Sequence, residues 1–292
     1  MFRPCAVPQG AAPVNTIISG PRSRSVYPRP RMSSDGTVDE QARDAVEARL
    51  RREAQFHDQS FAGDTRASAD QFYTVAGGAF DRYEQLVLEN AAGLKVLEYG
   101  CGPGSEAFRL AKAGAEVHGI DISQVAIDLA DRKAADRGVA ERCRFEVMDA
   151  ESLTFPDDSF DRICGSGILH HLDLGRAFPQ IARVLKPGGR AVFLEPLGHN
   201  PAINWYRRRT MEMRTEDEHP LLAKDFEQAE QHFARVAPEF FHLAVLASVP
   251  FQRHRYFDAV KGVLDRVDGW LVSPRSPLRW AAWMVVVVVE AR

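Results

Sequence analysis

Cysteine is scarce in this chain. There are four in 292 residues, Cys5, Cys101, Cys143 and Cys164, and no two form a C-x-x-C pair. That argues against a zinc site and a disulfide framework, and points to a reducing compartment. Long apolar runs are also missing. None reaches the roughly 20 residues of a membrane helix. The most apolar stretch, "WAAWMVVVVVEAR" near the C-terminus, is too short to span and reads as a buried strand because of its five consecutive valines. No charge of one sign dominates: the formal net charge is −3, so no electrostatic footprint for nucleic acid stands out. The run Arg207-Arg208-Arg209 is followed by Glu216, Asp217 and Glu218, which reads as a solvated helix surface rather than a phosphate-binding patch. No internal repeat is visible.

Acidic residues are absent before Asp35, and that segment carries six prolines and five arginines (at 3, 22, 24, 29 and 31). Such a composition buries too little apolar area to order itself, so residues 1–35 are expected to be a disordered extension. Two readings of it stand. As an Arg- and Ser-rich transit segment over 1–31 it would direct organellar import. As translated upstream sequence it would make Met32 the start and leave the protein cytoplasmic. The prolines spoil an amphipathic targeting helix, which favours the second.

What is present is a core of ordinary size: 45% hydrophobic and 26% charged residues. Helical periodicity over about 38–61 and 79–90 predicts an N-terminal helical cap within 36–90. Beyond it, strand-length apolar runs alternate with amphipathic helices. The predicted strands are Lys95–Tyr99, Glu116–Ile120, Cys143–Met148, Phe160–Gly165 and Gly189–Glu195, with helices Ser105–Ala113, Ser123–Gly138 and Gly175–Leu185 between. Later elements are a helix over Asp225–Phe233, a strand over Phe240–Ala247, a helix over Tyr256–Trp270 and a last strand over Trp280–Ala291. Alternating apolar strands and helices imply a parallel sheet covered on both faces. Residues 197–220 break the alternation and read as an inserted lid.

The first strand runs into Gly100-Cys101-Gly102-Pro103-Gly104 and then a helix. Glycines let the chain turn sharply and let a ligand lie against it, with the positive helix N-terminus behind. A dinucleotide and an adenosyl-amino acid both use such a turn. The dinucleotide spacing G-x-G-x-x-G would need glycine at Ser105. No Gly-Lys-Ser/Thr follows, which excludes a P-loop. Glu98 would repel a pyrophosphate and suits an ammonium. Three further features fall in register: Asp121 in "HGIDIS", placed to accept ribose hydroxyls or to cap the next helix; Asp149-Ala150 after the third strand, placed for an adenine amino group; and "FDRICGSGILHHL", a fourth strand ending in small residues and two histidines.

With "VLEYGCGPG", "GIDIS", "MDAESLTFPDDSFD", "GILHHL" and "VLKPGGRAVFLEP" in order over about Val96–Pro196, the chain resembles the class I S-adenosylmethionine-dependent methyltransferases, in the small-molecule, ubiquinone/menaquinone-methyltransferase-like group. The resemblance implies an α/β fold, a Rossmann-like seven-stranded mostly parallel sheet within a methyltransferase domain over 91–292. It implies S-adenosyl-L-methionine as cofactor. Gly100, Gly102 and Gly104 would lie along its methionine portion, and Glu98 beside the ammonium. Asp121 would hold the ribose, Ile122, Asp149 and Ala150 the adenine, while Gly165 and Ser166 would line the site beneath the sulfonium.

Methyl transfer is an in-line displacement whose chief need is alignment and exclusion of water. A base is required only where the acceptor must lose a proton. His170 and Glu195 are the expected catalytic groups, each with a hydrogen-bonding or capping role as the alternative. Tyr73, His171, His199 and Tyr206 are expected near substrate. His170, His171, Glu195 and His199 offer nitrogen and oxygen donors, but no spacing fixes them together and no metal is expected. The function that follows is methyl transfer to a small organic molecule, with neither nucleic acid nor an integral membrane segment. A NAD-dependent oxidoreductase and a non-catalytic cofactor-binding scaffold are the alternatives.

Overall fold

The computed structural model describes residues 40–62, 74–210 and 218–292. The 1–35 extension and Tyr73 lie outside them. Two helices lead: α1 (Glu40–Ala62) and α2 (Gly77–Leu88). There follow β1 (Lys95–Tyr99), α3 (Ser105–Lys112), β2 (Glu116–Asp121), α4 (Gln124–Asp136), β3 (Cys143–Val147) and β4 (Phe160–Ser166). The rest comprises α5 (Leu174–Val184), β5 (Leu185–Pro196), α6 (Pro201–Arg209), α7 (Ala223–Ala229), β6 (Arg235–Phe241), α8 (Phe257–Leu271) and β7 (Met284–Glu290).

The seven strands form one sheet in the order β3-β2-β1-β4-β5-β7-β6. The pairs from β3 to β5 are parallel, whereas β7 runs antiparallel to both β5 and β6. Side chains alternate across the sheet, as the strand period requires. Val96, Val192, Leu194 and Val286 join one core with Tyr83, Phe108 and Ile127 of the helices on that face. Leu97, Tyr99, Phe193 and Val287 join the other, with Phe178 and Ile181 of α5 and Phe226 of α7. Both faces are therefore covered, which is why successive positions within the inner strands are apolar, as at Val96-Leu97 of β1 and Ala191–Leu194 of β5.

The chain order reverses between β1 and β4, and there the strands' C-terminal ends leave a crevice, the usual place for a ligand in an open α/β sheet. Three conformations at the glycine turn follow from its sequence: Gly100, Gly102 and Gly104 all have positive φ, of 71°, 48° and 84°. A Cβ at Gly100 would stand 2.7 Å from Ile168 Cγ1, and one at Gly104 2.7 Å from the Phe108 ring. Only glycine fits either place.

The C-terminal third departs from expectation. The sixth strand is Arg235–Phe241, not Phe240–Ala247. The apolar run beyond it, Ala244–Phe251, is a 3-10 helix, entered through His242 at φ 66°. Asp268 of α8 accepts from the backbone N–H groups of Leu243, Ala244 and Val245, which fixes that helical start. Pro238 and two charged residues weaken the strand pattern of β6, and a proline is tolerated there because β6 is an edge strand. The last strand begins at Met284; Trp280 lies in a 3-10 turn over Pro277–Ala281. Within the arginine run Arg208 and Arg209 are exposed as expected, whereas Arg207 is 15% exposed and pairs with Glu218 at 2.5 Å.

Candidate active site

A cavity of about 350 Å³ opens over the C-terminal ends of β1, β2 and β4. Its floor is the glycine turn and the segments that follow β2, β3 and β4. Its roof is α1, whose residues Arg49, Glu53, His57 and Phe61 recur every four positions and form one stripe facing inward. Three contacts hold the roof down. Arg49 donates to the Glu151 carboxylate, with both side chains buried. Asp58 accepts from Ser123 Oγ and, at 3.3 Å, from the Val125 N–H. The Phe61 ring lies over Gly102, 3.3 Å from where a Cβ there would stand.

The lining is acidic. Glu53, Glu98, Glu106, Asp121, Asp149 and Glu151 face the cavity, and Arg49 is the one lysine or arginine among the described lining residues. Glu98 is 5% exposed. Its two oxygens accept from the N–H groups of Glu106 (3.2 Å) and Ala107 (2.8 Å) at the start of α3. Burial, with Glu106 and Asp121 nearby, pushes its pKa up to about 8 in spite of those hydrogen bonds. Asp121 accepts from Gly102 N (2.8 Å) and Ser123 N (2.9 Å), so it ties the glycine turn to the end of β2. The cap of α4 is Ser123, whose Oγ accepts from Ala126 N at 3.0 Å. Asp149 accepts from Glu151 N at 2.8 Å, and Tyr99 donates to the Ala150 carbonyl.

A model described as "Methyltransferase domain" matches residues 96–189. The methyltransferase GfsG of Streptomyces halstedii is 41% identical over 110 residues, 37% of this chain and 39% of that protein. The 27-O-demethylrifamycin SV methyltransferase of Amycolatopsis mediterranei is 43% identical over 101 residues, 34% of this chain and 37% of that one. Demethylmenaquinone methyltransferase of Lactiplantibacillus plantarum is 32% identical over 188 residues, 57% of this chain and 76% of that protein. The chain belongs to the class I S-adenosylmethionine-dependent methyltransferases. A geranyl diphosphate methyltransferase structure, at 14% identity, shares the fold with a TM-score of 0.53 over 73% of this chain and 78% of that one. The chain spans only about two-fifths of the first two relatives' lengths.

In this methyltransferase most residues expected around S-adenosylmethionine line the cavity: Glu98, Gly100, Gly102, Asp121, Ile122, Asp149, Ala150 and Ser166. The buried carboxylate of Glu98 fits an ammonium, and the Asp121 carboxylate fits ribose hydroxyls. Gly104 and Gly165 do not line it. Gly104 holds the left-handed turn into α3, and a Cβ at Gly165 would strike the Tyr99 carbonyl at 2.8 Å, so both serve packing.

The expected catalytic pair lies elsewhere than expected. Glu195 is fully buried and does not reach the cavity. It accepts from Ile168 N (2.9 Å), Leu169 N (2.8 Å) and His170 Nδ1 (2.7 Å), so it braces the turn after β4. Burial raises its pKa to about 7 and lowers that of His170 well below the usual histidine value. Of the two adjacent histidines it is His171, not His170, that faces the cavity. His199 accepts from Ala223 N at 3.2 Å, capping α7, and neither it nor Tyr206 lines the cavity.

The helical cap containing α1 is expected from the sequence, but none of the residues of α1 is among the expected site residues. Its four-residue stripe of Arg49, Glu53, His57 and Phe61 is visible in the sequence as a polar face on an amphipathic helix. Nothing local says that this face turns inward.

Proposed function

We propose that this protein transfers a methyl group from S-adenosylmethionine to a small organic acceptor held beneath α1. The observation that carries the reading is the acidic lining of the cavity: six carboxyl groups against one guanidinium, with Glu98 and Asp121 on either side of a glycine turn. Such a lining favours a cationic ligand and opposes the pyrophosphate of a nicotinamide dinucleotide. When bound, S-adenosylmethionine supplies a methyl group activated by its sulfonium.

The chain's residues bind, orient and exclude water. Glu98, ionised, pairs with an ammonium. Asp121 exchanges backbone partners for ribose hydroxyls. Asp149 and the Ala150 backbone stand at the adenine rim, with Ile122 against its face. Glu195 and His170 act as positioning residues, holding the 168–171 turn and hence His171 at the cavity wall. The roof formed by α1 suits a sequestered small molecule. The related proteins are named for acceptors as different as a rifamycin and a demethylmenaquinone, and they support no narrower class. Incubation with methyl-labelled cofactor and a panel of small phenolic, quinone and polyketide acceptors tests this. Label should pass to a small molecule; no transfer to any acceptor, with cofactor bound, favours a binding protein without catalysis.

A further inference from the structure

The cavity wall holds a donor set that methyl transfer from a sulfonium does not require. Glu53 and His57 lie one turn apart on α1, and His171 lies across from them after β4; all three line the cavity. The Glu53 carboxylate is the shared corner. Its Oε2 is 3.6 Å from His57 Nε2 and 3.5 Å from His171 Nδ1, and the three donor atoms all lie within 4.8 Å of one another. These separations are too long for hydrogen bonds. They match a different geometry. Four ligands at about 2.1 Å around a tetrahedral ion stand about 3.4 Å from each other.

We infer that Glu53, His57 and His171 bind a divalent first-row transition ion, with Zn²⁺ the expected occupant. Two imidazoles and one carboxylate are the donors such an ion takes in sites that keep a position open for water or substrate. The fourth position faces the cavity, because all three ligands line it. His171 Nδ1 is buried and has no hydrogen-bond partner among the described residues, a costly arrangement for a ring nitrogen unless it has a ligand to meet. Glu53 is 5% exposed, and a carboxylate withdrawn that far from water gains most from a full positive charge beside it.

A second grouping, His170, His171 and Glu218, shares His171. It is the weaker one, because Glu218 is engaged by Arg207. Nor does His170 line the cavity. An ion at Glu53, His57 and His171 would stand where it can bind an acceptor's hydroxyl, enol or carbonyl oxygen. It would also tie α1 to the turn after β4. The acceptors that fit are therefore small molecules with an oxygen donor close to the methylated atom. Ion binding itself does not depend on methyl transfer, so it is tested without cofactor.

The test is titration of chelator-stripped, tag-free full-length protein with Co²⁺, followed by visible absorption, and with Zn²⁺ by calorimetry. The expected result is one ion per chain with the intense bands of four-coordinate Co²⁺. Glu53→Gln, His57→Ala and His171→Ala should each lose that uptake, whereas His254→Ala, at an exposed histidine, should keep it. His57 is only partly buried, so His57→Ala should fold even if the Glu53 variant does not. Absence of stoichiometric uptake by the unsubstituted protein overturns the site. So does uptake that survives His57→Ala but is lost in Glu218→Gln, which would place the ion at the other grouping.

Discussion

Arg49 on α1 donates to the carboxylate of Glu151 beyond β3, and the pair is buried at the point where the roof meets the wall of the cavity. Glu151 also accepts from Asp173 N at 2.8 Å and has Arg176 at 3.2 Å. Breaking a buried ion pair by removing one partner costs about 3–5 kcal/mol. Because Arg176 remains beside the carboxylate, Arg49→Ala should fall at the lower end, about 3 kcal/mol, read from the urea midpoint at constant slope. The helix should also loosen before the sheet does, giving new tryptic cleavage within 50–62 under conditions in which α1 of the unsubstituted protein is not cut. An unchanged midpoint and cleavage pattern would show that α1 is held by other contacts.

Asp121 serves two backbone N–H groups from two different segments. Asp121→Ala leaves both without an acceptor, at about 1–3 kcal/mol, and frees the glycine turn. Cofactor affinity should fall much further than stability does. Asp121→Asn keeps one acceptor oxygen, so its stability should be near that of the unsubstituted protein while its affinity still falls. Thermal melts with and without S-adenosylmethionine separate the two effects.

Glu98 links pH to both folding and binding. Its pKa rises from the ordinary 4.5 to about 8 in the native protein, mainly through burial. Around it stand Glu106 and Asp121, along with the uncharged Tyr83, Cys101, Cys143 and Cys164. Between pH 4.5 and about 8 the native state holds a proton that the unfolded chain has lost. Its contribution to stability is therefore full below 4.5 and is lost as pH rises to about 8, by up to about 1.4 kcal/mol per pH unit. Glu98→Gln has no proton to release, so it should gain on the unsubstituted protein over that window in paired denaturation curves. Binding runs the other way. An ammonium needs the carboxylate, so S-adenosylmethionine affinity should rise towards pH 8 with uptake of the ligand releasing a proton, and Glu98→Gln should abolish that dependence.

The parallel half of the sheet was legible because β1, β4 and β5 carry successive apolar residues between amphipathic helices, and β1 and β2 end in turns that only certain residues permit. Gly100 and Asp121 announce such ends. The sixth strand was not, since β6 carries Pro238 and Glu239, while the apolar run after it reads like a strand yet forms a 3-10 helix capped by Asp268. The cofactor side of the site could be read from local spacing. The roof could not, because the approach of Glu53 and His57 to His171 depends on how α1 lies across the sheet. The two histidines after β4 look equivalent in sequence, and only the fold decides that His171 faces inward and His170 meets Glu195.

Glu195 provides a further check on roles. It satisfies two backbone N–H groups and the His170 ring in a site without exposure. Glu195→Ala strands all three and should cost about 3 kcal/mol or more. Glu195→Gln keeps one acceptor oxygen and should lower stability less, with turnover reduced only in step with the displaced turn. A Glu195→Gln protein that melts normally, binds cofactor normally and yet has lost kcat would make Glu195 a base rather than a brace.

The central claim is that the glycine turn, with Glu98 before it and Asp121 after it, binds an adenosyl-amino acid. Calorimetric titration of the full-length protein with S-adenosylmethionine, and separately with NAD, tests it most directly. The account predicts saturable one-to-one binding of S-adenosylmethionine, lost in Asp121→Ala, and no binding of NAD. Binding of NAD without S-adenosylmethionine, or unchanged affinity in Asp121→Ala, would contradict it.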